Sequence, residues 1–199
     1  GLDGEGDVAD GHIAAGAQYG AAMKEAAELA VEEINAAGGI KSMGGAQLKM
    51  IYADSKGDAA EGVTQIEKLI TQDEVQLITG CYQSGVCMAT SEVTERYGIP
   101  YFVPVPSDDQ ITDRGFKYLF RLAEKTSWRN RDQVAFIKDM AEKTGTDIKT
   151  WAIVYESSSW GQGALTALEQ TVGFTLGINW VNALITGCLG VPGVILLIL

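Results

Sequence analysis

An α/β fold, with a parallel sheet covered by helices on both faces, is predicted by two patterns in the first 171 residues. Short apolar runs of strand type alternate along the chain with longer segments whose apolar residues recur every three or four positions. The connections between them are rich in glycine, serine and aspartate. Because parallel strands need a crossover connection, which is usually a helix, this alternation indicates β-α-β units.

The amino-terminal part predicts a loop, a helix, a strand and a second helix. Residues 1–20 are rich in glycine and have no periodicity. The helical face that follows ends at Gly38-Gly39; it comprises Met23, Ala26, Ala27, Ala30, Val31 and Ile34. Residues 48–53 form a strand-like run. Asp58, with Glu61 three residues later, predicts the cap of the second helix; its buried face comprises Val63, Ile66, Leu69 and Ile70.

The middle of the chain continues the alternation. Residues 75–79 and 99–104 are predicted as strands, and a helix over residues 86–97 lies between them. A loop over residues 105–112 follows. The pattern then predicts a helix over residues 128–143, a strand over residues 149–156 and a helix that begins near Gly161. These elements complete a regular α/β order.

The character of the sequence changes after Thr171. Residues 173–199 contain no charged side chain. An apolar stretch of roughly 20 residues is typical of a helix that spans a membrane. We therefore predict that residues 172–199 form an apolar helical tail, which either inserts into a membrane or packs on the exposed sheet.

Composition and isolated side chains exclude several classes of function. The chain has a net charge of −11 and a pI near 4.5, and it lacks the basic cluster that a nucleic acid requires. Asp108 and Asp109 are adjacent, so their side chains point apart and do not form an acid–base pair. The only histidine, His12, has no nearby nucleophile motif. The sequence indicates no enzyme and no cofactor.

The three cysteines, Cys81, Cys87 and Cys188, do not have a metal-ligand spacing. In an exported protein Cys81 and Cys87 could be linked, but free and partly buried thiols are the favoured interpretation.

Six segments follow one another in a specific order and spacing. They are residues 28–40 (ELAVEEINAAGGI), the pair Asp54 and Asp58, and residues 80–91, 98–102, 111–121 and 155–163. This series resembles the branched-chain amino-acid and amide-binding family of type I periplasmic solute-binding proteins. The resemblance implies two α/β lobes that close on a small amino acid, amide or carboxylate. It also implies a periplasmic or extracellular location, and delivery of the solute to the membrane subunits of an ABC-type importer.

The resemblance divides the chain into three parts. Residues 1–121 correspond to the first lobe without its first strand, residues 122–171 to the beginning of the second lobe, and residues 172–199 to the tail. We therefore expect a truncated binding protein with weak solute affinity. No signal peptide is visible at Gly1, so we expect either that a leader was removed or that the reading frame begins inside the gene.

The tail has a resemblance of its own. Residues 177–199, with the run Leu189-Gly-Val-Pro-Gly193, resemble the carboxy-terminal membrane segment of the BofA family, the inhibitors of pro-sigma-K processing. This implies a membrane-associated regulatory fragment as an alternative function. A ligand-binding domain of a membrane-tethered sensor is a further alternative. We interpret the junction as a truncation, frameshift or assembly error and not as a natural fusion.

The predicted binding site lies beyond the carboxyl ends of the strands, where open α/β sheets bind ligands. The resemblance implies that the loops after Gly80 and Pro104 hold a carboxylate. Ser84, which follows Tyr82 and Gln83, occupies the hydroxyl position of the first loop. Its role is to donate a hydrogen bond to an anionic oxygen beside a helix amino terminus. A simple helix cap is the alternative for Ser84.

The second loop and three aromatic residues complete the prediction. Ser107 matches the second hydroxyl position, and Pro106 precedes it where a small residue is usual. A plain turn residue is the favoured alternative for Ser107. Tyr82 and Trp160 are candidate apolar walls, and Tyr19 is a weaker candidate for reaching the cleft. Aromatic residues near strand ends more often belong to the core.

Overall fold

Helices and strands alternate through residues 17–148, 152–172 and 194–198, which are the residues that this computed structural model describes. The helices are α1 (Ala17–Ala36), α2 (Ala59–Thr71), α3 (Ser84–Tyr97), α4 (Gln110–Asp113), α5 (Thr126–Thr144) and α6 (Ser159–Val172). The strands are β1 (Ile78–Thr79), β2 (Tyr101–Val103), β3 (Leu119–Arg121), β4 (Ala152–Glu156) and β5 (Val194–Ile198). This order confirms the predicted α/β class.

A parallel sheet of three strands, in the order β1-β2-β3, forms the centre of the fold. Its register places Ile78, Tyr101 and Leu119 in one row across the sheet, and all three side chains are buried. Side chains of a strand alternate between the two faces, so Val103 lies on the same face as Tyr101 and is also buried. The core therefore lies on this face.

Helices α2, α3 and α4 enclose that core. Asp58 caps α2 as predicted, since its Oδ1 accepts a hydrogen bond from the Glu61 N–H at 2.8 Å. Ile66 and Leu69 of α2 are buried in the same apolar cluster as Val93 of α3. Other members of this cluster include Cys87 of α3 and Ile111 of α4. The predicted apolar face of α2 is confirmed.

The opposite face of the sheet carries an aromatic pair. Phe102 and Phe120 are neighbours in register, and their rings stack with centroids 5.1 Å apart. Phe120 remains 45% exposed. In the described part of the chain, the helices that touch the sheet therefore lie on the side of Tyr101.

Helices α5 and α6 pack together beside β4, which pairs with β5 in an antiparallel arrangement. The two helices are linked by Asn130, whose Nδ2 donates to the Ala164 carbonyl at 2.7 Å. Asn130 is buried, so this bond satisfies a polar group that would otherwise be costly to bury. It fixes the position of α6 on α5.

The strand predicted over residues 48–53 is wrong, because these residues contain no helix or strand. No described strand pairs with this run, and the side chain of Asn35 forms hydrogen bonds with the backbone of its first residue, Leu48. Its Oδ1 accepts from the Leu48 N–H and its Nδ2 donates to the Leu48 carbonyl, both at 2.8 Å. Both groups of Leu48 are therefore bound to a side chain of α1 instead of to a strand.

The helical prediction for the tail is wrong at residues 194–198, which form strand β5. This short run is rich in valine, isoleucine and leucine, and it pairs along the whole of β4. Such residues fit a pleated surface well, and β4 offers an edge for pairing. The remaining tail residues, 173–193 and 199, lie outside the described residues, as do His12 and Cys188. Within the described part, no helix has the length and apolarity needed to cross a membrane.

Several predicted boundaries differ from the observed ones. Helix α1 begins at Ala17, inside the segment predicted as loop, and α5 begins at Thr126 instead of residue 128. The strands predicted over residues 75–79 and 99–104 are shorter, and the loop 105–112 contains the start of α4. Strand β3 was not predicted as a strand. It is short, and its identity depends on pairing with β2.

Candidate functional site

The loop after β1 leads directly into α3. Gly80 and Cys81 both have a positive φ, +116° and +71°, which turns the chain sharply from the strand into the helix. Gln83 is the residue before α3 and makes no side-chain cap. Ser84 is the first helical residue and is buried. Its hydroxyl has no hydrogen-bond partner among residues 17–148 and 152–172, so the alternative that Ser84 caps the helix is not what the structure shows.

The loop after β2 places Ser107 in a set of hydrogen bonds. Its carbonyl accepts from the N–H and from the Oγ1 of Thr126, each at 2.9 Å. Its Oγ lies 3.2 Å from the Thr126 Oγ1 and accepts from the Trp160 Nε1 at 2.8 Å. Ser107 and Thr126 are both buried. Ser107 thus joins β2, α5 and α6.

The amino terminus of α6 meets both loops. Trp160 reaches Ser107 through its indole N–H. Gly85, next to Ser84, lies so near to Ser159 that a Cβ atom added to this glycine would be 3.4 Å from the Ser159 Oγ. Because β1 and β2 are parallel neighbours, the loops after them leave the sheet at the same edge. The first two residues of α6 lie against that edge.

Asp108 is buried between the second loop and α6. Its carboxylate lies close to Gly163. A Cβ atom added to this glycine would be 3.5 Å from the Asp108 Oδ2, which is an ordinary van der Waals distance. Its Oδ1 accepts from the Gln110 N–H at 3.0 Å. Burial raises the pKa of Asp108, and this effect outweighs the opposing hydrogen bond from Gln110. Asp109 instead accepts from the Ser127 N–H at 3.0 Å, so the adjacent carboxylates have separate partners, as predicted.

Arg121 holds the second loop in place. Its guanidinium donates to the carbonyls of Asp108 at 2.8 Å and Asp109 at 3.3 Å, and it also bonds the Thr112 hydroxyl. Burial lowers the pKa of Arg121, although nearby carboxylates oppose this effect. The residue is therefore a structural charge that stabilises the second loop.

Two aromatic rings form a wall beside the first loop. Tyr19 of α1 stacks on Tyr82 with centroids 4.4 Å apart and an interplanar angle of 7°. Both rings are partly exposed. The side chain of Gln83 lies over Gly57, where an added Cβ would be 3.2 Å from its Oε1. Pro106, in the second loop, is buried.

The structure thus places the predicted residues in two groups. Ser84, Ser107, Pro106 and Trp160 lie where the two loops approach the start of α6, and Tyr19, Tyr82 and Gln83 lie at the outer side of the first loop. The bond from Trp160 to Ser107 was not predicted, since Trp160 was considered only as an apolar wall.

Sequence reasoning missed Thr126 and Tyr155. Thr126 starts α5, and the pair Thr126-Ser127 before the helical periodicity was the available signal. The side chain of Tyr155 is buried, and its hydroxyl has no hydrogen-bond partner among the described residues. An unpaired buried hydroxyl could not be inferred from the sequence.

Two open depressions lie away from this edge. One, of about 530 Å³, runs along α5 beside Trp128 and Phe136. The other, of about 660 Å³, lies beside Phe120, Arg121 and Leu122. None of the predicted site residues lines either depression.

Comparison with known sequences relates the chain to binding proteins. Leu/Ile/Val-binding protein homolog 8 of Brucella abortus is 39% identical over 140 residues, which are 67% of this chain and 33% of that relative. Leu/Ile/Val-binding protein homolog 7 of the same organism is 34% identical over 161 residues, which are 77% of this chain and 38% of that relative. The chain therefore spans about a third of the length of these curated relatives.

Comparison with solved structures gives the same relationship. The substrate-binding protein LivJ of the branched-chain amino acid transporter of Streptococcus pneumoniae, in complex with isoleucine, is similar with a TM-score of 0.64 and 25% identity. The match covers 88% of this chain and 50% of that chain. A substrate-binding protein of Desulfitobacterium hafniense in complex with Leu shares the fold, with a TM-score of 0.61, 22% identity, and coverage of 74% and 42%.

The sequence profile described as "Periplasmic binding protein" matches residues 14–183, which is most of the chain. Members of this family are solute-binding proteins, and the family name implies a location outside the cytoplasm. The parallel sheet, with loops that meet α6 at one edge, agrees with this profile. The chain belongs to the periplasmic binding protein family.

Proposed function

We propose that this protein is the extracytoplasmic solute-binding component of an ABC-type importer. It captures a small amino acid, amide or carboxylate where the loops after β1 and β2 face the start of α6. The observation that carries the proposal is that Ser84 and Ser107 follow adjacent parallel strands and that the chain around each of them contacts the same end of α6.

The first loop provides donors for an anionic group. The hydroxyl of Ser84 has no partner among the described residues, so it can donate to a carboxylate oxygen. It lies in the first turn of α3, where the backbone N–H groups have no carbonyl partner within the helix and where Gln83 provides no side-chain cap. The helix dipole adds a favourable interaction with negative charge at this position.

The second loop joins the two lobes. Because the Ser107 Oγ accepts the Trp160 indole N–H, its own proton is directed elsewhere. The Thr126 Oγ1 donates towards the same oxygen, so a bound oxygen can accept this proton. Ser107 therefore acts as a polar bridge between the lobes and as a candidate second donor.

The class of solute is supported by the relatives and by the aromatic wall. The similar structures contain isoleucine and Leu, and the related sequences are named as Leu/Ile/Val-binding homologs. The stacked rings of Tyr19 and Tyr82 offer apolar surface next to Ser84 for the side chain of such an amino acid. We therefore place branched-chain amino acids first among the solutes.

Saturation-transfer NMR with the full chain tests the proposal, because it detects weak binding. The panel comprises leucine, isoleucine, valine, glutamine and benzoate, and each solute is titrated against the wild-type chain and against Ser84→Ala. Loss of one hydrogen bond to a charged group costs about 1.5–3 kcal/mol, so Kd should rise roughly 10- to 100-fold in Ser84→Ala.

Ser42→Ala is the matched control, because Ser42 is exposed in the 3₁₀ turn Lys41–Met43. It should leave Kd unchanged. If no solute gives a transfer signal, or if Ser84→Ala and Ser42→Ala bind equally well, the proposed site is wrong.

Membrane contact through residues 173–199 and the BofA-like regulatory function remain predictions of the sequence, as does the membrane-tethered sensor. The pairing of β5 with β4 favours the solute-binding function, because it places residues 194–198 in a sheet. Flotation of the chain with phospholipid vesicles would support membrane contact.

A further inference from the structure

The hydroxyl group of Ser107 lies between two hydrogen-bond donors. The indole Nε1–H of Trp160 donates to its Oγ at 2.8 Å. The Thr126 Oγ1 lies 3.2 Å from the same oxygen and 2.9 Å from the Ser107 carbonyl, so its single proton is shared between these two acceptors. Ser107 and Thr126 are both buried, where hydrogen bonds are stronger than in water. The Ser107 Oγ therefore accepts from two sides.

The two donors are held in fixed positions. Thr126 is the first residue of α5, and Trp160 is the second residue of α6. The hydrogen bond from Asn130 to the Ala164 carbonyl joins these two helices. The Ser158 Oγ accepts a backbone N–H in the first turn of α6 at 3.1 Å, which fixes the start of that helix. Both donors thus keep a constant direction towards Ser107.

This arrangement limits what the Ser107 hydroxyl can do. A serine oxygen has two lone pairs and carries one proton. The Trp160 N–H and the Thr126 proton approach the lone pairs, so the proton is the hydrogen-bonding function that remains. Donors that bind to a hydroxyl oxygen also polarise its O–H bond and strengthen its donation. Ser107 can therefore donate to a solute but has no lone pair free to accept from one.

We propose that Trp160 is a positioning residue that makes Ser107 a donor only, and that it thereby selects solutes with a carboxylate over solutes with a primary amide. The first loop also presents donors, which are the Ser84 hydroxyl and the N–H groups in the first turn of α3. A carboxylate offers an acceptor oxygen to each loop, whereas a primary amide has one oxygen and turns its NH2 group towards one of them. Two donors that face each other leave a polar group unpaired, which costs affinity. The inference rests on the proposed function, because that function assigns the solute to the two loops.

The test compares leucine with leucinamide, which differ in the carboxylate and the primary amide. At pH of about 6 the α-ammonium group of each solute is protonated. The two Kd values are measured by saturation-transfer NMR with the full chain, for the wild type and for Trp160→Phe, which keeps an aromatic ring but lacks the N–H. Since this variant frees one lone pair of Ser107, the ratio of the leucinamide Kd to the leucine Kd should fall roughly 2- to 10-fold, the effect of one hydrogen bond.

Two further variants separate positioning from a merely structural role. Trp128→Phe is the matched control, because Trp128 lies in the first turn of α5 and is 52% exposed; it should leave the ratio unchanged. Ser107→Ala should lower the ratio by itself, and Trp160→Phe should have no further effect on the ratio in that background, because no hydroxyl remains to be positioned. A structural role of Trp160 would weaken the binding of both solutes equally.

Hydrogen exchange of the indole N–H groups tests the contact without any solute. In the wild-type chain the Nε1–H of Trp160 should exchange at least about tenfold more slowly than that of Trp128, and Ser107→Ala should remove this protection. Folding of each variant is checked by circular dichroism. If Trp160→Phe or Ser107→Ala does not fold, the exchange rates in the wild-type chain still test the bond.

Three outcomes would overturn the inference: an unchanged ratio in Trp160→Phe, an equal loss of affinity for both solutes, or equally fast exchange at Trp160 and Trp128. Absence of a transfer signal from leucine with the wild-type chain would overturn the proposed function, and the selection of the solute with it. Clear binding of leucine together with an unchanged ratio would overturn only the role of Trp160, so the two failures are distinguishable.

Discussion

Substitution of Gly62 by alanine tests how closely α2 and α3 pack. A Cβ atom at this position would lie 2.9 Å from the Val86 Cγ1 and 3.1 Å from the Thr90 Cγ2. Gly20 is the matched control: like Gly62 it is the fourth residue of its helix, but it is exposed and an added Cβ would meet no atom within 4 Å.

The two substitutions should change the free energy of unfolding in opposite directions. Alanine is favoured over glycine inside a helix by about 1 kcal/mol, so Gly20→Ala should stabilise the chain by up to that amount. Gly62→Ala gains the same helix propensity but overpacks the core, which costs about 1–3 kcal/mol. The unfolding free energies of the two variants should therefore differ by about 1–3 kcal/mol, with Gly62→Ala the less stable.

Urea unfolding followed by far-ultraviolet circular dichroism measures this difference. A double-mutant cycle with Val86→Ala identifies its cause, because removal of the Val86 methyl groups makes space for the new Cβ. The cycle should show favourable coupling between the two substitutions. Equal stabilisation by Gly20→Ala and Gly62→Ala would refute the close contact between α2 and α3.

Two further predictions concern the site. Burial raises the pKa of Asp108, so its contribution to stability is present below the unfolded-state pKa and is lost as pH rises through the folded-state value. Asp108→Asn cannot ionise, so the difference between its melting temperature and that of the wild type should increase in favour of the variant between pH of about 3 and about 7. The control Asp73→Asn changes an exposed carboxyl and should show no such increase. Tyr19→Ala should lose about 0.5–1.5 kcal/mol of stability with its stack on Tyr82, and Tyr19→Phe should retain it. Equal urea midpoints for the two Tyr19 variants would contradict the stacking contribution.

Much of the helical structure was predictable because its signals are local. Asp58 and Glu61 mark the start of α2 within four residues of sequence, and Ile66 and Leu69 mark its buried face. Strands were harder to predict from the sequence, because a strand is defined by a pairing partner that lies elsewhere in the chain. Residues 48–53 have strand-type composition, but no described strand pairs with them and Asn35 binds the backbone of Leu48. Strand β3, in contrast, forms beside β2 without a strong signal of its own.

The candidate site shows the same division. The positions of Ser84 and Ser107 after apolar strands predicted that both lie at one edge of the sheet. The bond from Trp160 to Ser107 joins residues 53 positions apart, and the burial of Asp108 depends on Gly163, so neither could be inferred locally. In the tail, a local signal led to a wrong prediction. The apolarity of residues 173–199 predicted a helix, whereas residues 194–198 form β5 and pair with β4.

The sequence by itself determined the α/β class, the parallel order of the strands and the family, because these follow from periodicity, caps and ordered motifs that each lie within a short stretch of chain. Only the tertiary structure decided which hydroxyls are engaged and which carboxylate is buried. Those properties depend on the approach of distant segments, where distances of a few tenths of an ångström decide whether a hydrogen bond exists.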